Sequence, residues 1–185
     1  MVTIGNVFTF VSGNAALDFA GTVAARTTDY RDRLATPAAL ARWLIAADLL
    51  DAVPECDETA LRRAVAVREA VYRLALAAIR GEPSGESDRA LVNDTAAGQL
   101  PLVTLLSDHT VRRTGGVDAA LAAVARSAVE LLGGPDRERI KQCGRDNCTR
   151  LYVDTSRGGT RRWCDMARCG NRAKSAAFRA RHGGS

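Results

Sequence analysis

Four cysteines confined to 27 residues constrain this chain more than any other feature. Cys143 and Cys148 form one Cys-x4-Cys pair, fifteen residues intervene, and Cys164 and Cys169 form a second at equal spacing. Zinc takes four ligands tetrahedrally, and each pair can offer two sulfurs from a tight turn while the intervening chain folds back. In a reducing compartment such thiols are expected to be metal ligands or buried thiols rather than disulfides. A structural zinc is expected; an iron–sulfur cluster, which also uses four thiolates, is the alternative. Four sulfurs leave no open coordination position, so the site is a staple rather than a catalytic centre. The fifth cysteine, Cys56, stands alone and is expected to be a buried or half-buried residue.

The staple is needed. The last fifty residues hold few large apolar side chains, among them Leu151, Tyr152, Val153, Trp163 and Phe178. Segments of that size rarely fold on so small a core, whereas structural zinc supplies on the order of 10–16 kcal/mol in peptide systems. Between the pairs, TRLYVD (149–154) alternates like a strand, TSRGGT turns, and RRWC returns. This predicts a hairpin between the pairs with the last ligand opening a helix, a treble-clef-like layout. Gly170 is expected to give backbone freedom beside the metal, and Asn171 to cap the helix. At about 100° per residue, Cys169, Ala173, Ala176, Ala177 and Ala180 share a face expected to turn toward the metal.

Residues 1–134 read as a mainly helical domain with minor β structure, and 135–185 as a separate zinc module. NVFTFV (6–11) predicts a short strand, and GNAALDFAGTVAAR (13–26) a helix capped by Asn14. Thr36 followed by Pro37 starts a second helix. The longest runs from its cap Asp57 to Arg80 and stops at Gly81, with Leu61, Val65, Val71 and Leu76 near helical spacing. A loop over 81–87 leads to a short helix, and residues 102–114 predict a small hairpin turning at Ser107-Asp108. A last helix ends at Gly133-Gly134-Pro135, the best boundary in the chain.

Charge changes at that boundary. Residues 1–135 hold 13 Lys and Arg against 16 Asp and Glu, and residues 136–185 hold 13 against 5. Arginine fits phosphates and can bind guanine through two hydrogen bonds. Arg157, Arg161, Arg162, Arg168, Arg172, Lys174, Arg179 and Arg181 are therefore the candidate nucleic-acid contacts. DNA is the expected partner and RNA the alternative. A basic face serving an acidic protein or solvent alone is the bland explanation.

The stretch SRGGTRRWCDMARCGNRAKSAAFRAR (156–181) resembles the CGNR-type zinc finger, a C-terminal module found in bacteria. The Trp163-Cys164 step, Cys169-Gly170-Asn171-Arg172, Lys174 and the upstream pair with LYVD carry the resemblance. ALDFAGT (16–22) and PAALARWLIAADLL (37–50) resemble the ABATE domain that usually precedes it. That family tends to place Asn before Thr22, where this chain has Gly21. The resemblance implies a stress-related transcriptional regulator with a zinc-dependent DNA-binding tail.

No P-loop, G-x-G-x-x-G, G-x-S-x-G or H-E-x-x-H pattern occurs. Asp18, Arg26, Asp29, Tyr30, Asp108 and His109 are the residues an enzyme would have to use, and ion pairing or turn chemistry accounts for them as well. No catalytic residue is nominated, and the protein is not expected to be an enzyme. The helical domain is expected to bind a small-molecule effector or to form a homodimer, which would let two small modules read two half-sites. No apolar run reaches the ~18–20 residues of a membrane span, and the protein is expected in the cytoplasm.

Overall fold

The computed structural model describes residues 8–182. The first helix, α1 (Ala15–Ala20), starts where Asn14 accepts hydrogen bonds from the Ala16 and Leu17 amides. It stops far short of the predicted Arg26. The chain instead turns into a two-residue strand, β1 (Val23–Ala24), paired with β2 (Arg31–Asp32). Val23 is β-branched and buried, and it serves better in that pair than in another helical turn. Of the strand predicted at 6–11, residues 6 and 7 lie outside the described part. Residues 8–11 form no ladder; their continuation is tied down where Ser12 accepts from the Val153 amide at 2.8 Å.

The next helices follow their sequence signals. Thr36 caps α2 (Pro37–Ala46) with Pro37 in its first turn. Asp57 caps α3 (Glu58–Arg80), and Gly81 closes it at φ 66°, a left-handed conformation that suits glycine. α4 (Glu86–Ala96) packs with α5 (Val117–Gly133) and α3. Between α4 and α5 stands the hairpin of β3 (Leu102–Leu105) and β4 (Val111–Thr114). The principal core joins Phe19, Leu40, Trp43 and Leu44 to Val67, Val71 and Leu121. Cys56 is half-buried against it.

A 3₁₀ turn (Pro135–Arg139) follows the glycines and leads into β5 (Ile140–Gln142), paired antiparallel with β6 (Leu151–Val153). Ile140, Leu151 and Val153 do not form a core of their own. They join Leu17, Ala75 and Leu131 of the helices in a second apolar cluster. A π-helical turn (Met166–Gly170) then runs into α6 (Asn171–His182).

This differs from the predicted layout in an instructive way. The hairpin does not lie between the cysteine pairs: its partner strand is β5, ahead of Cys143, so the first pair sits in the connection between β5 and β6. Residues 160–163 form no strand. Burial decides this, because Ile140 matches Val153 across the pair and both enter the second core. No helix among the described residues is long and apolar enough to cross a membrane.

Candidate metal centre and basic cleft

Local structure brings the four cysteines to one point. The Cys143 amide donates to Arg150 O and the Cys148 amide to Arg145 O, each at 2.9 Å, folding residues 143–150 into a knuckle. Asp165 caps the π-helical turn by accepting from the Ala167 amide, and the Cys169 amide donates to Asp165 O. The cap is thus Asp165, not Asn171, which lies inside the helix and donates to Ala167 O. Gly170 serves packing rather than backbone freedom. A Cβ there would stand 2.9 Å from Met166 Sδ and 3.2 Å from the Trp163 ring.

The four sulfurs lie within 4.8 Å of one another. Cys148 and Cys164 Sγ are 3.8 Å apart, and Cys164 and Cys169 Sγ 3.6 Å. A tetrahedron with Zn–S bonds of about 2.3 Å has sulfur–sulfur edges of about 3.8 Å, so the set fits one zinc. The thiols also interact strongly. Hydrogen bonds from the sulfurs of Cys148 and then Cys164 push the Cys143 thiol down to about 2. The same sharing, first with Cys143, pushes Cys148 up to about 11 and Cys164 higher still. One thiolate is welcome in this cluster; four require a cation.

Around the sulfurs lies a small third cluster in which Tyr152 is fully buried and Trp163 half-buried. Tyr152 donates to Arg161 O at 2.6 Å, and burial pushes its phenol up to about 12. Asp154 closes the module from the other side. It accepts from Lys141 Nζ at 2.7 Å, from Ser156 and from the Arg161 amide. The Lys141 and Ser156 bonds hold its carboxyl well below the ordinary carboxylate range.

Contacts between the module and the helical part are polar as well as apolar. Arg150 donates to Thr9 O and Gly21 O, both at 3.1 Å, and lies 3.7 Å from Asp18. The Arg26 amide donates to the Thr149 hydroxyl at 3.2 Å. Asp18 also accepts from the Val11 and Ser12 amides, yet burial leaves its carboxyl raised. Asp18 and Arg26 do not pair with each other. Arg26 instead pairs with Glu69 at 2.5 Å and lies over the Tyr72 ring.

The candidate nucleic-acid residues fall into distinct environments. Arg161 is committed to structure: it donates to Val11 O, Trp163 O and Cys164 O and lies over the Tyr152 ring. Arg162 lies over Trp163, and Arg157 is exposed on the turn after β6. Arg168 donates to the Thr9 hydroxyl at 2.7 Å. On α6, Arg172, Lys174 and Arg179 are exposed, and Lys174, Ser175, Phe178 and Arg179 share one surface. Ala176 is exposed, so the alanine face does not turn wholly to the metal. The side chains of Ala177, Ala180 and Arg181 lie outside the described set.

A cleft of about 520 Å³ runs beside the zinc site between the two parts of the chain. Arg31 and Arg33 line it from the helical side, and Arg145, Arg150, Arg168 and Arg172 from the zinc side. Sequence reasoning missed Arg31 and Arg33 as members of this surface. Nothing in their spacing marks it, because the fold alone brings position 31 to position 172. Asp108, by contrast, spends its carboxylate on the Thr110 amide and hydroxyl, and His109 takes φ 64° in that turn.

Fold and site together define a helical domain joined to a four-cysteine zinc module. Comparison with family models gives the same two parts: ABATE, described as "Putative stress-induced transcription regulator", matches residues 13–135, and the CGNR zinc finger matches residues 139–182. The chain belongs to the ABATE family and carries a CGNR zinc finger with one structural zinc. Comparison with curated proteins gives no match.

Proposed function

We propose that this chain is a DNA-binding transcription regulator, not an enzyme, whose zinc module positions a basic surface made jointly with the helical domain. The observation that carries this reading is the charge around the cleft. A zinc held by four thiolates has a formal charge of −2, and Asp29 and Asp165 also line the cleft. Six arginines exceed these negative charges by two. Beyond the cleft, α6 extends Lys174 and Arg179 into solvent. Its twelve residues span about 18 Å, and a helix fits the B-DNA major groove. In this reading residues 135–185 make most of the DNA contact, Arg31 and Arg33 extend it from the helical side, and the rest of residues 1–134 regulates it. A groove of about 280 Å³, with Leu74, Val92 and Val129 beside Arg89, offers room for an effector.

The test is titration of fluorescent random-sequence duplex DNA with zinc-loaded protein at several salt concentrations, beside Arg172→Ala and Cys164→Ser variants. Each neutralised phosphate adds roughly −0.9 to the slope of log affinity against log salt. Five or six contacts give a slope of about −5. A flat response, or tighter binding to RNA at matched salt, overturns the reading.

A further inference from the structure

The β3–β4 hairpin carries a surface that the zinc module does not explain. Leu102, Val103 and Leu105 are 67%, 63% and 72% exposed, and Val111 43%. An isolated two-stranded hairpin is marginal in water. An uncharged strand edge left open is a template for another strand.

The two edges of this hairpin differ. On β4, the Arg113 amide donates to Asp51 Oδ2 at 2.6 Å, and Arg113 O accepts from the Asp51 amide at 3.1 Å. Asp51 therefore closes that edge at Arg113. This also fixes the alternation, because antiparallel pairs exchange hydrogen bonds at every second position. Arg113 points its backbone groups outward, so its pair with Val103 is a non-hydrogen-bonded one, as is Val111 with Leu105. The Leu106 amide donating to Thr110 O agrees with that register. The amides and carbonyls of Val103 and Leu105 thus face the open side of β3, and no partner meets them among the described residues.

We infer that the β3 edge pairs with β3 of a second copy of this chain, antiparallel about a two-fold axis at Thr104. Val103 of each copy then exchanges two hydrogen bonds with Leu105 of the other, four in all. The sheet becomes four-stranded, and both copies of Val103, Leu105 and Val111 gather on one face. Residues 102–106, Leu-Val-Thr-Leu-Leu, then oppose themselves without a charge. Pairing through β4 would instead set Arg112 against Arg112, which is unfavourable. Four residues of edge bury less than the about 1,600 Å² of an ordinary stable interface, so the dimer dissociates on dilution.

Sedimentation velocity on the full zinc-loaded chain over a range of concentrations tests this, with Val103→Pro and Leu105→Lys beside it. Val103→Pro removes an outward donor that the hairpin does not use; Leu105→Lys places like charges on the edge. Both variants should keep the parent's circular dichroism and lose the dimer. A cysteine at position 104 would meet its copy at about 4.5–5.5 Å between Cα atoms, within disulfide reach. Thr104→Cys should therefore cross-link under mild oxidation far faster than Leu102→Cys. A monomer at every concentration overturns the inference, including one whose edge accepts an extended segment of another protein. So does a dimer indifferent to both edge variants, or equal cross-linking at positions 102 and 104.

Discussion

Arg150 of the zinc module fills the space that a side chain at Gly21 would need. A Cβ on Gly21 would stand 2.5 Å from Arg150 Nη1 and 3.2 Å from Leu17 O. The guanidinium seated there binds Thr9 O and Gly21 O and faces Asp18. The glycine is thus part of the joint between the helical domain and the metal centre. That gives a physical role to the position where the chain departs from the pattern it resembles.

Gly21→Ala is expected to lower stability by about 1–2 kcal/mol, within the usual range for a point substitution. It displaces Arg150 from its acceptors. The cost should shrink when Arg150 is already alanine, because the collision is then gone. A double-mutant cycle from urea unfolding of zinc-loaded protein measures this coupling, which for residues in contact is about 0.5–3 kcal/mol.

Much of the helical domain was legible because its signals are local. Asn14, Thr36 and Asp57 as caps and Gly81 as a stop each act within a few residues of where they sit. The four metal ligands were legible for a related reason, since tetrahedral thiolate binding imposes a spacing. The strand partners were not. Whether LYV pairs forward with RRWC or backward with Ile140–Gln142 depends on the core under it, and that core comes from α1, α3 and α5. The cleft was hidden for the same reason, as was Arg161, whose charge looked like those of its neighbours until its acceptors were located.

Arg68 is fully buried and forks onto Asp32 at 2.7 and 2.8 Å, with Glu69 beside it. It ties β2 to the middle of α3. Arg68→Met should cost about 3–5 kcal/mol, because it strands a carboxylate without its partner. Burial alone would raise Asp32, but the Arg68 fork and the Leu34 amide overcome it and hold the carboxyl below its ordinary value. The pair's contribution is therefore complete above the unfolded value near pH 4. It drains away as pH falls through the depressed folded value. Urea unfolding of parent and variant should show their difference narrowing below about pH 4.

Metal removal should loosen one region rather than the whole chain. The sulfurs, Tyr152 and Trp163 form a cluster that has no centre without zinc, whereas β5 and β6 are held by Leu17, Ala75 and Leu131. Treatment with a strong chelator should release one zinc per chain. Hydrogen exchange should then accelerate at 143–150 and 160–176, with less change at Ile140 and Leu151–Val153 and least in α3. Uniform acceleration across α3 and α5 would mean that the metal supports the entire fold.

The cations near the zinc should separate by what they hold. Arg161 binds three backbone carbonyls and lies over Tyr152, so Arg161→Ala should lower the melting temperature and weaken zinc retention. Arg172, Lys174 and Arg179 are exposed on α6. Replacing any one of them with alanine should leave melting and zinc content unchanged. Each replacement should weaken DNA binding similarly for all sequences and make the salt slope shallower by about 1. Arg31→Ala tests the helical side of the cleft. If Arg31 touches phosphate, its loss flattens the slope by the same amount although it lies more than 100 residues from the zinc ligands. An unchanged slope for Arg31 with a flatter one for Arg172 would confine the interface to the zinc module.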